Sequence, residues 1–300
     1  MEIIDLELNQ IPKGKDNLIL CLGYFDAMHL GHVNLIKEAL KENEPVAVMT
    51  FDLPPLVALK KREMNCSITS LYDKAKILES LGIDILYILP FNEELMNYSK
   101  DDFIDKVLKP LNPLKIFIGE DYHFGKNAEG NSEYLKQHFD VNIVKLLKVN
   151  NEKLSSSRII EMIREGNLTH VNKALGRYYR ITGLVVEGNK VGRTLGFPTA
   201  NLELGYPYVF PKEGVYVGQV DIYGDLHFAI ISVSRHPTIL ELMQPIIEVN
   251  IDDYEGNLYG KEISVDFIEY ISEIIKFDSL DDLKKRLEYY RSYLYSKYKL

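Results

Sequence analysis

Residues 23–32 read GYFDAMHLGH and carry two histidines three positions apart, His29 and His32, with a glycine, Gly31, between them. They follow directly on the apolar run NLILCL. A glycine turn at the C-terminal end of a first parallel strand is where open α/β sheets bind ligands. The segment from His29 to His32 then falls in the first turn of the following helix, where free N–H groups and the helix dipole favour phosphate. Two imidazoles at that point can hydrogen-bond phosphate oxygens and stabilise charge developing in phosphoryl or nucleotidyl transfer. Gly31 leaves room for backbone and nucleotide to approach closely. The plainer alternative is two histidines packed on an ordinary helix. A metal centre lacks an acid or cysteine companion at ligand spacing.

A second constellation lies far along the chain, in VEGNKVGRTLGFPTAN (186–201). Gly188, Gly192 and Gly196 permit a tight loop whose amides can face phosphates. Thr199 offers a hydroxyl and Asn201 a carbonyl oxygen, both suited to Mg²⁺, which takes few protein ligands beside phosphate oxygens and water. Pro198 stiffens the turn between them. Without its context the same stretch reads as a proline turn and an Asx turn between strands. Glu248 alternates with Ile247 and Val249, so its bland reading is a solvent-facing strand residue. GNLYGKE has the wrong spacing for a Walker A loop and lacks Ser or Thr after its lysine. Ser155, Ser156 and Ser157 open a helix, where they can bind phosphate or simply cap.

The elements needed to position these groups follow from periodicity. Up to about residue 166, apolar strand runs alternate with amphipathic helices, which means a parallel sheet flanked by helices, a Rossmann-like α/β fold. From about residue 178 the runs YRITGLVVEGN, GVYVGQVDIYG, LHFAIISVS, IIEVNIDD and KEISVDFIEYI are short, β-branched and bounded by Gly, Asn or Asp. They predict a small antiparallel barrel or sandwich, closed by a C-terminal helix over SLDDLKKRLEYYRSYLYSKYKL. Two domains are expected, residues 1–170 and 171–300.

The formal net charge of −9 argues against a protein that coats nucleic acid or anionic membrane. Cys21 and Cys66 form no CxxC, which points away from a disulfide scaffold or zinc site and towards a reducing cytoplasm. The N-terminus has early acids and no apolar h-region, so no signal peptide is expected. No apolar run approaches the ~20 residues of a membrane span.

GYFDAMHLGH resembles the GxFDGxHxGH signature of the HxGH nucleotidyltransferase superfamily. IFIGEDYHFGKNAEGN (116–131) resembles the glycine-rich flavin/ATP loop of prokaryotic FAD synthetases, and LSSSRII (154–160) their SSTxIR motif. TGLVVEGNKVGRTLGFPTANL (182–202) and IIEVNIDDYEGNLYGKEISVDF (246–267) resemble the two signature segments of riboflavin kinases. By these motifs, in family order over nearly the whole chain, the sequence is similar to the bifunctional riboflavin kinase/FMN adenylyltransferase family. The resemblance implies a C-terminal riboflavin kinase barrel and an N-terminal FMN adenylyltransferase domain, acting on riboflavin, FMN, FAD and ATP with Mg²⁺. It implies that Thr199 and Asn201 hold Mg²⁺–ATP and that Glu248 accepts the proton of the riboflavin 5′-hydroxyl. It assigns ATP or phosphate contacts to Gly23, Phe25, Asp26, Gly31, Ser155, Ser156, Ser157, Gly188, Gly192, Arg193 and Gly196, with His29 and His32 catalytic. Gly119, Asp121, Phe124 and Gly125 become the flavin/nucleotide loop.

The sequence departs from the pattern at several places. Ala27 replaces a glycine, which is tolerable if φ there is negative and damaging if it is positive. Pro54 replaces a histidine, and Ile160 stands where an arginine that could fork onto phosphate is expected. Ser232-Val233-Ser234 replaces Asn-Ile-Gly, and Ser272 stands in a segment that usually carries arginine. The readings to be separated are therefore a bifunctional enzyme, a kinase with an impaired N-terminal domain, and a flavin-binding regulator without turnover.

Overall fold

The computed structural model describes all residues except 54–66, 146, 150–151, 188–198, 237–243, 276–278 and 299–300. The chain divides into two compact units, Met1–Ser156 and Ser157–Leu300.

The first unit is built on a six-stranded sheet in which every pairing is parallel. Its strands are β1 (Glu2–Asp5), β2 (Ile19–Leu22), β3 (Val46–Phe51), β4 (Ile85–Leu89), β5 (Lys115–Gly119) and β8 (Val141–Val144), in the order β1-β4-β3-β2-β5-β8. Strand β2 is buried throughout, as a central strand covered on both faces must be. Helix α1 (Leu30–Ala39) follows β2, and α2 (Leu71–Ser80) precedes β4. Ser99 caps the turns that follow it in a capping box with Asp102. A short hairpin pairs β6 (His123–Phe124) with β7 (Gly130–Asn131), and another pairs β9 (Lys148–Val149) with β10 (Glu152–Lys153).

From β2 the chain moves to β3 on one side, and only later returns to β5 on the other. The strand order therefore reverses between β2 and β5, and the carboxyl ends of these two strands are where open α/β sheets bind ligands. GYFDAMHLGH leaves β2 there, and the glycine loop from Gly119 leaves β5 beside it.

The chain enters the second unit at the second residue of α3 (Ser156–Arg164), which α4 (Leu168–Leu175) follows. The α4 residue Asn172 donates to the carbonyls of Phe267 and Ile268 at 3.0 Å and accepts from the Tyr179 N–H at 2.8 Å. These bonds fasten α4 to the barrel, so the change of period near residue 178 marks the first strand rather than the start of the unit. Strands β11 (Tyr179–Val186), β12 (Ala200–Glu203), β13 (Gly214–Ile222), β14 (Asp225–His236), β15 (Gln244–Ile251) and β16 (Glu262–Ser272) form a closed antiparallel barrel, ordered β11-β12-β15-β14-β13-β16. The barrel resolves the choice between barrel and sandwich, and closure leaves no open edge. Helix α5 (Leu280–Tyr298) seats Tyr290 and Leu294 on Val215, Val217, Ile230 and Ile268.

One ion pair ties three barrel strands together. Asp266 on β16, 5% exposed, receives two bonds from Arg180 of β11 at 2.7 and 2.8 Å and one from Gln219 of β13 at 3.2 Å. Asp266→Ala leaves a half-buried guanidinium without its partner and is expected to destabilise this unit by about 2–4 kcal/mol. Urea unfolding followed by tyrosine fluorescence measures it, and a loss below about 1 kcal/mol would show that the pair behaves as a surface one.

Candidate functional site

The parallel-sheet site starts at a bend that ordinary residues resist. Phe25 (φ 53°) and Met28 (φ 43°) both take left-handed backbone angles, which a Cβ makes unfavourable by about 1–2 kcal/mol each. Their side chains repay this by burial, at 2% and 0% exposure. Ala27, between them, is fully buried and is not among the positive-φ residues. Its methyl group therefore meets no backbone penalty where the family signature has glycine.

The bend delivers His29 to the N-cap of α1, and its Nδ1 accepts the His32 N–H at 3.2 Å. A neutral His29 ring then carries its proton on Nε2, as a donor. The two imidazoles stack with centroids 3.7 Å apart and 18° between planes. Phe25 closes edge-on against His32 at 5.2 Å. A Cβ on Gly31 would lie 3.0 Å from the His29 ring, so any side chain there would crowd it. The first turn of α1 holds no acidic residue to repel an anion.

Asp26 is 4% exposed, and its Oδ1 accepts the Ile68 N–H at 3.0 Å. Its carboxylate thus holds the backbone ahead of α2. Beside it stands a residue that sequence reading missed. Lys74 of α2 is 1% exposed, and its ammonium donates to the Tyr24 carbonyl and the Thr50 hydroxyl, both at 2.8 Å. Burial lowers its pKa to about 8, against the opposing pull of the Asp26 charge. The signal in sequence was a lysine one turn before Leu78 on the apolar face of a helix.

On the neighbouring loop, Gly119 ends β5, Asp121 is exposed, and Phe124 is buried against Phe103 and Tyr122. Gly125 has φ 73°, and a Cβ there would lie 2.8 Å from the Lys100 nitrogen. Ser155 and Ser156 are half-buried and Ser157 is exposed, around the start of α3. On that helix Ile160 lies on the buried face with Ile159 and Ile163, while Arg158 pairs with Glu161 at 3.1 Å. Pro54 lies outside the described residues.

The barrel site is set by strand register. Asn201 of β12 stands directly opposite Glu248 of β15, and Glu248 stands opposite Ser232 of β14. Residues paired across antiparallel strands share a face. Ile247 and Val249, both fully buried, take the other face, and Glu248 is half-buried. Three oxygen-bearing side chains therefore line one strip across three strands. Thr199, two residues before Asn201, is half-buried. Its hydroxyl and the Asn201 amide are hard oxygen donors with no histidine or cysteine among them, which fits Mg²⁺. Among the described residues, no group of three or more His, Cys, Asp or Glu could hold a metal. Gly188, Gly192, Arg193 and Gly196 lie outside the described residues, as does Pro198.

Two family models match the chain, FAD synthetase over residues 11–158 and riboflavin kinase over 175–292. Among curated relatives, the bifunctional riboflavin kinase/FMN adenylyltransferase of Listeria monocytogenes is 34% identical over 281 residues, covering 91% of this chain and 90% of that one. The protein of the same name from Bacillus subtilis is also 34% identical, covering 90% and 89%. That from Escherichia coli K12 is 30% identical, covering 93% and 92%. A crystal structure of a Streptococcus pneumoniae protein named for macrolide efflux has 32% identity and a TM-score of 0.89, covering 99% of this chain and 100% of that one. Among the described residues no helix is long and apolar enough to cross a membrane.

Lys74 leaves a pH signature. Its ammonium titrates at about 8 when folded and at the ordinary 10.5 when unfolded. The unfolded chain therefore binds more protons between those values, and stability rises with pH across that window. The destabilising contribution is complete below the folded pKa and gone above the unfolded one. Stability of the wild type relative to Lys74→Met is expected to climb by up to about 3 kcal/mol through this range, measured by urea unfolding of both proteins at stepped pH. A flat difference would show that Lys74 is not the titrating group.

Proposed function

The chain belongs to the bifunctional riboflavin kinase/FMN adenylyltransferase family, and we propose from that membership that its barrel and its sheet divide the two reactions. The barrel phosphorylates riboflavin with ATP to FMN and ADP. The parallel-sheet unit then transfers the adenylyl group of a second ATP to FMN, giving FAD and pyrophosphate. Riboflavin, FMN, FAD and ATP are the substrates and products of the family's reactions. We further assign the enzyme to the cytoplasm, where flavin and ATP are both at hand.

The observation that carries the kinase assignment is the register of Asn201 against Glu248. Phosphoryl transfer asks the protein mainly for positioning and electrostatics. Thr199 and Asn201 would hold Mg²⁺, which supplies charge neutralisation at the phosphates. Glu248, one strand away, takes the proton of the flavin 5′-hydroxyl as that oxygen attacks phosphorus. A flavin-binding regulator would need no such base.

For adenylyl transfer the stacked histidines at the α1 N-terminus are the phosphate handlers. The His29 Nε2 proton and the amides of the first turn can stabilise charge as pyrophosphate leaves. Ile160 supplies no cation, and this favours a second reading in which only the kinase turns over. Arg158, already paired to Glu161, lies ~200° around the helix and does not point the same way.

Incubation with riboflavin and Mg-ATP, followed by chromatography of the flavins, separates the readings. FAD is the expected end product. Accumulation of FMN alone would reduce the protein to a kinase, and unchanged riboflavin would leave a binder.

Two substitutions should fail differently. Asn201→Ala is expected to weaken productive Mg-ATP binding, with part of the rate recovered in excess Mg²⁺. Glu248→Gln is expected to lower kcat for FMN formation by roughly 10²–10⁴-fold with ATP binding little changed. Near-normal turnover of folded Glu248→Gln would remove that residue from the mechanism.

A further inference from the structure

Lys74 is the most expensively placed charge among the described residues. A buried ammonium is disfavoured by desolvation, and an apolar side chain of similar size would stabilise the same position better. It cannot touch a ligand, because it is 1% exposed. Its hydrogen bonds go to the bend that precedes α1 and to the end of β3 beside it. The ammonium donates to the Tyr24 carbonyl and to Thr50 Oγ1, each at 2.8 Å, and the Thr50 hydroxyl itself donates to the same carbonyl at 2.6 Å. The Tyr24 ring lies beneath the ammonium at 4.5 Å. The next residue, Phe25, is the first of the two with left-handed φ. The carbonyl immediately before the unfavourable conformation is therefore held twice, once from α2 and once from the end of β3.

The other side of the bend is held too. Asp26 accepts the Ile68 N–H, and Ser70 caps α2 by accepting from the Asp73 N–H at 3.1 Å. The helix that carries Lys74 is thus anchored to the same bend at its own start. A conformation that costs energy persists only where its surroundings over-determine it.

We propose, resting on the adenylyl-transfer reading above, that Lys74 is a positioning residue for that reaction: it clamps the Tyr24 carbonyl and Thr50 hydroxyl so that the bend presents the stacked His29 and His32 at the start of α1. The lysine is retained for geometry and not for stability. Displacing reacting groups by about 1 Å can lower a rate by ~10²-fold.

The test uses the full chain as Lys74→Met, Thr50→Val and the double variant. FAD formation from FMN and FMN formation from riboflavin are assayed in each. Ring ¹H–¹³C signals of His29 and His32, assigned with His29→Asn and His32→Asn, report the bend directly. Lys74→Met is expected to lower kcat for adenylyl transfer by ~10²-fold with KM for FMN little changed. Both histidine signals move, and riboflavin phosphorylation keeps its rate. Thr50→Val loses less, and the double variant loses no more than Lys74→Met alone, because both groups act through one carbonyl. Unmoved histidine signals with unchanged kcat in Lys74→Met would overturn the clamp, as would losses that multiply independently in the double variant. If Lys74→Met loses its fold, Thr50→Val decides alone, and an unchanged kcat there overturns the proposal. A wild type that makes no FAD would refute the adenylyl-transfer reading itself, and the histidine signals would still decide the clamp.

Discussion

The Tyr24 carbonyl is the node on which the parallel-sheet site hangs. It accepts from a buried ammonium and from a hydroxyl that is itself bonded to that ammonium. Beyond it the backbone turns left-handed at Phe25 and again at Met28, and only then enters α1. Each later feature depends on that path. The His29 cap, the stack on His32 and the edge contact from Phe25 all require the chain to arrive at Leu30 from this direction. Burial of Phe25 and Met28 offsets the backbone strain, and the polar node fixes which of several strained paths is taken.

The barrel solves the same problem of placing oxygens by other means. Its site depends on register and not on strain. Side chains alternate with a period of two, so a slip of one residue between β12 and β15 would turn Glu248 into the core and bring Ile247 or Val249 out. The full burial of those two neighbours makes such a slip costly. Closure of the barrel and the Arg180–Asp266–Gln219 bridge across β11, β16 and β13 lock the ladder further. One chain thus holds a site made by a bent loop beside a site made by a rigid ladder.

Much of this was legible in residue order. The helix after the histidines and the long barrel strands carry their period in the sequence. The short strands β1 and β8 are not legible there, since four residues give too little alternation to exceed the noise. Strand β12 is legible only as a turn, because PTAN has turn chemistry and becomes a strand through pairing with β11 and β15. The helix α4 spans the 170/171 boundary expected from the sequence, and its tie to the barrel through Asn172 joins residues 95 and 96 positions apart.

By itself the sequence determined the kinds of element, the two-part organisation and the chemical inventory, because hydrophobic period, caps and motif order are local properties. It pointed to His29, His32, Thr199 and Asn201 by type and spacing and to Glu248 through resemblance to the family, and it posed the question of Ala27 without being able to answer it. Tertiary structure decided what depends on distant partners. It kept Ala27 out of the positive-φ set and set Gly31 close against the His29 ring. It set Asn201 beside Glu248 across a ladder. It also turned Lys74, an unremarked residue of an amphipathic helix, into a buried cation fifty residues from the carbonyl it holds. No local rule encodes that bond, because the energy that keeps an ammonium out of water comes from β3, α2 and the bend closing around it together.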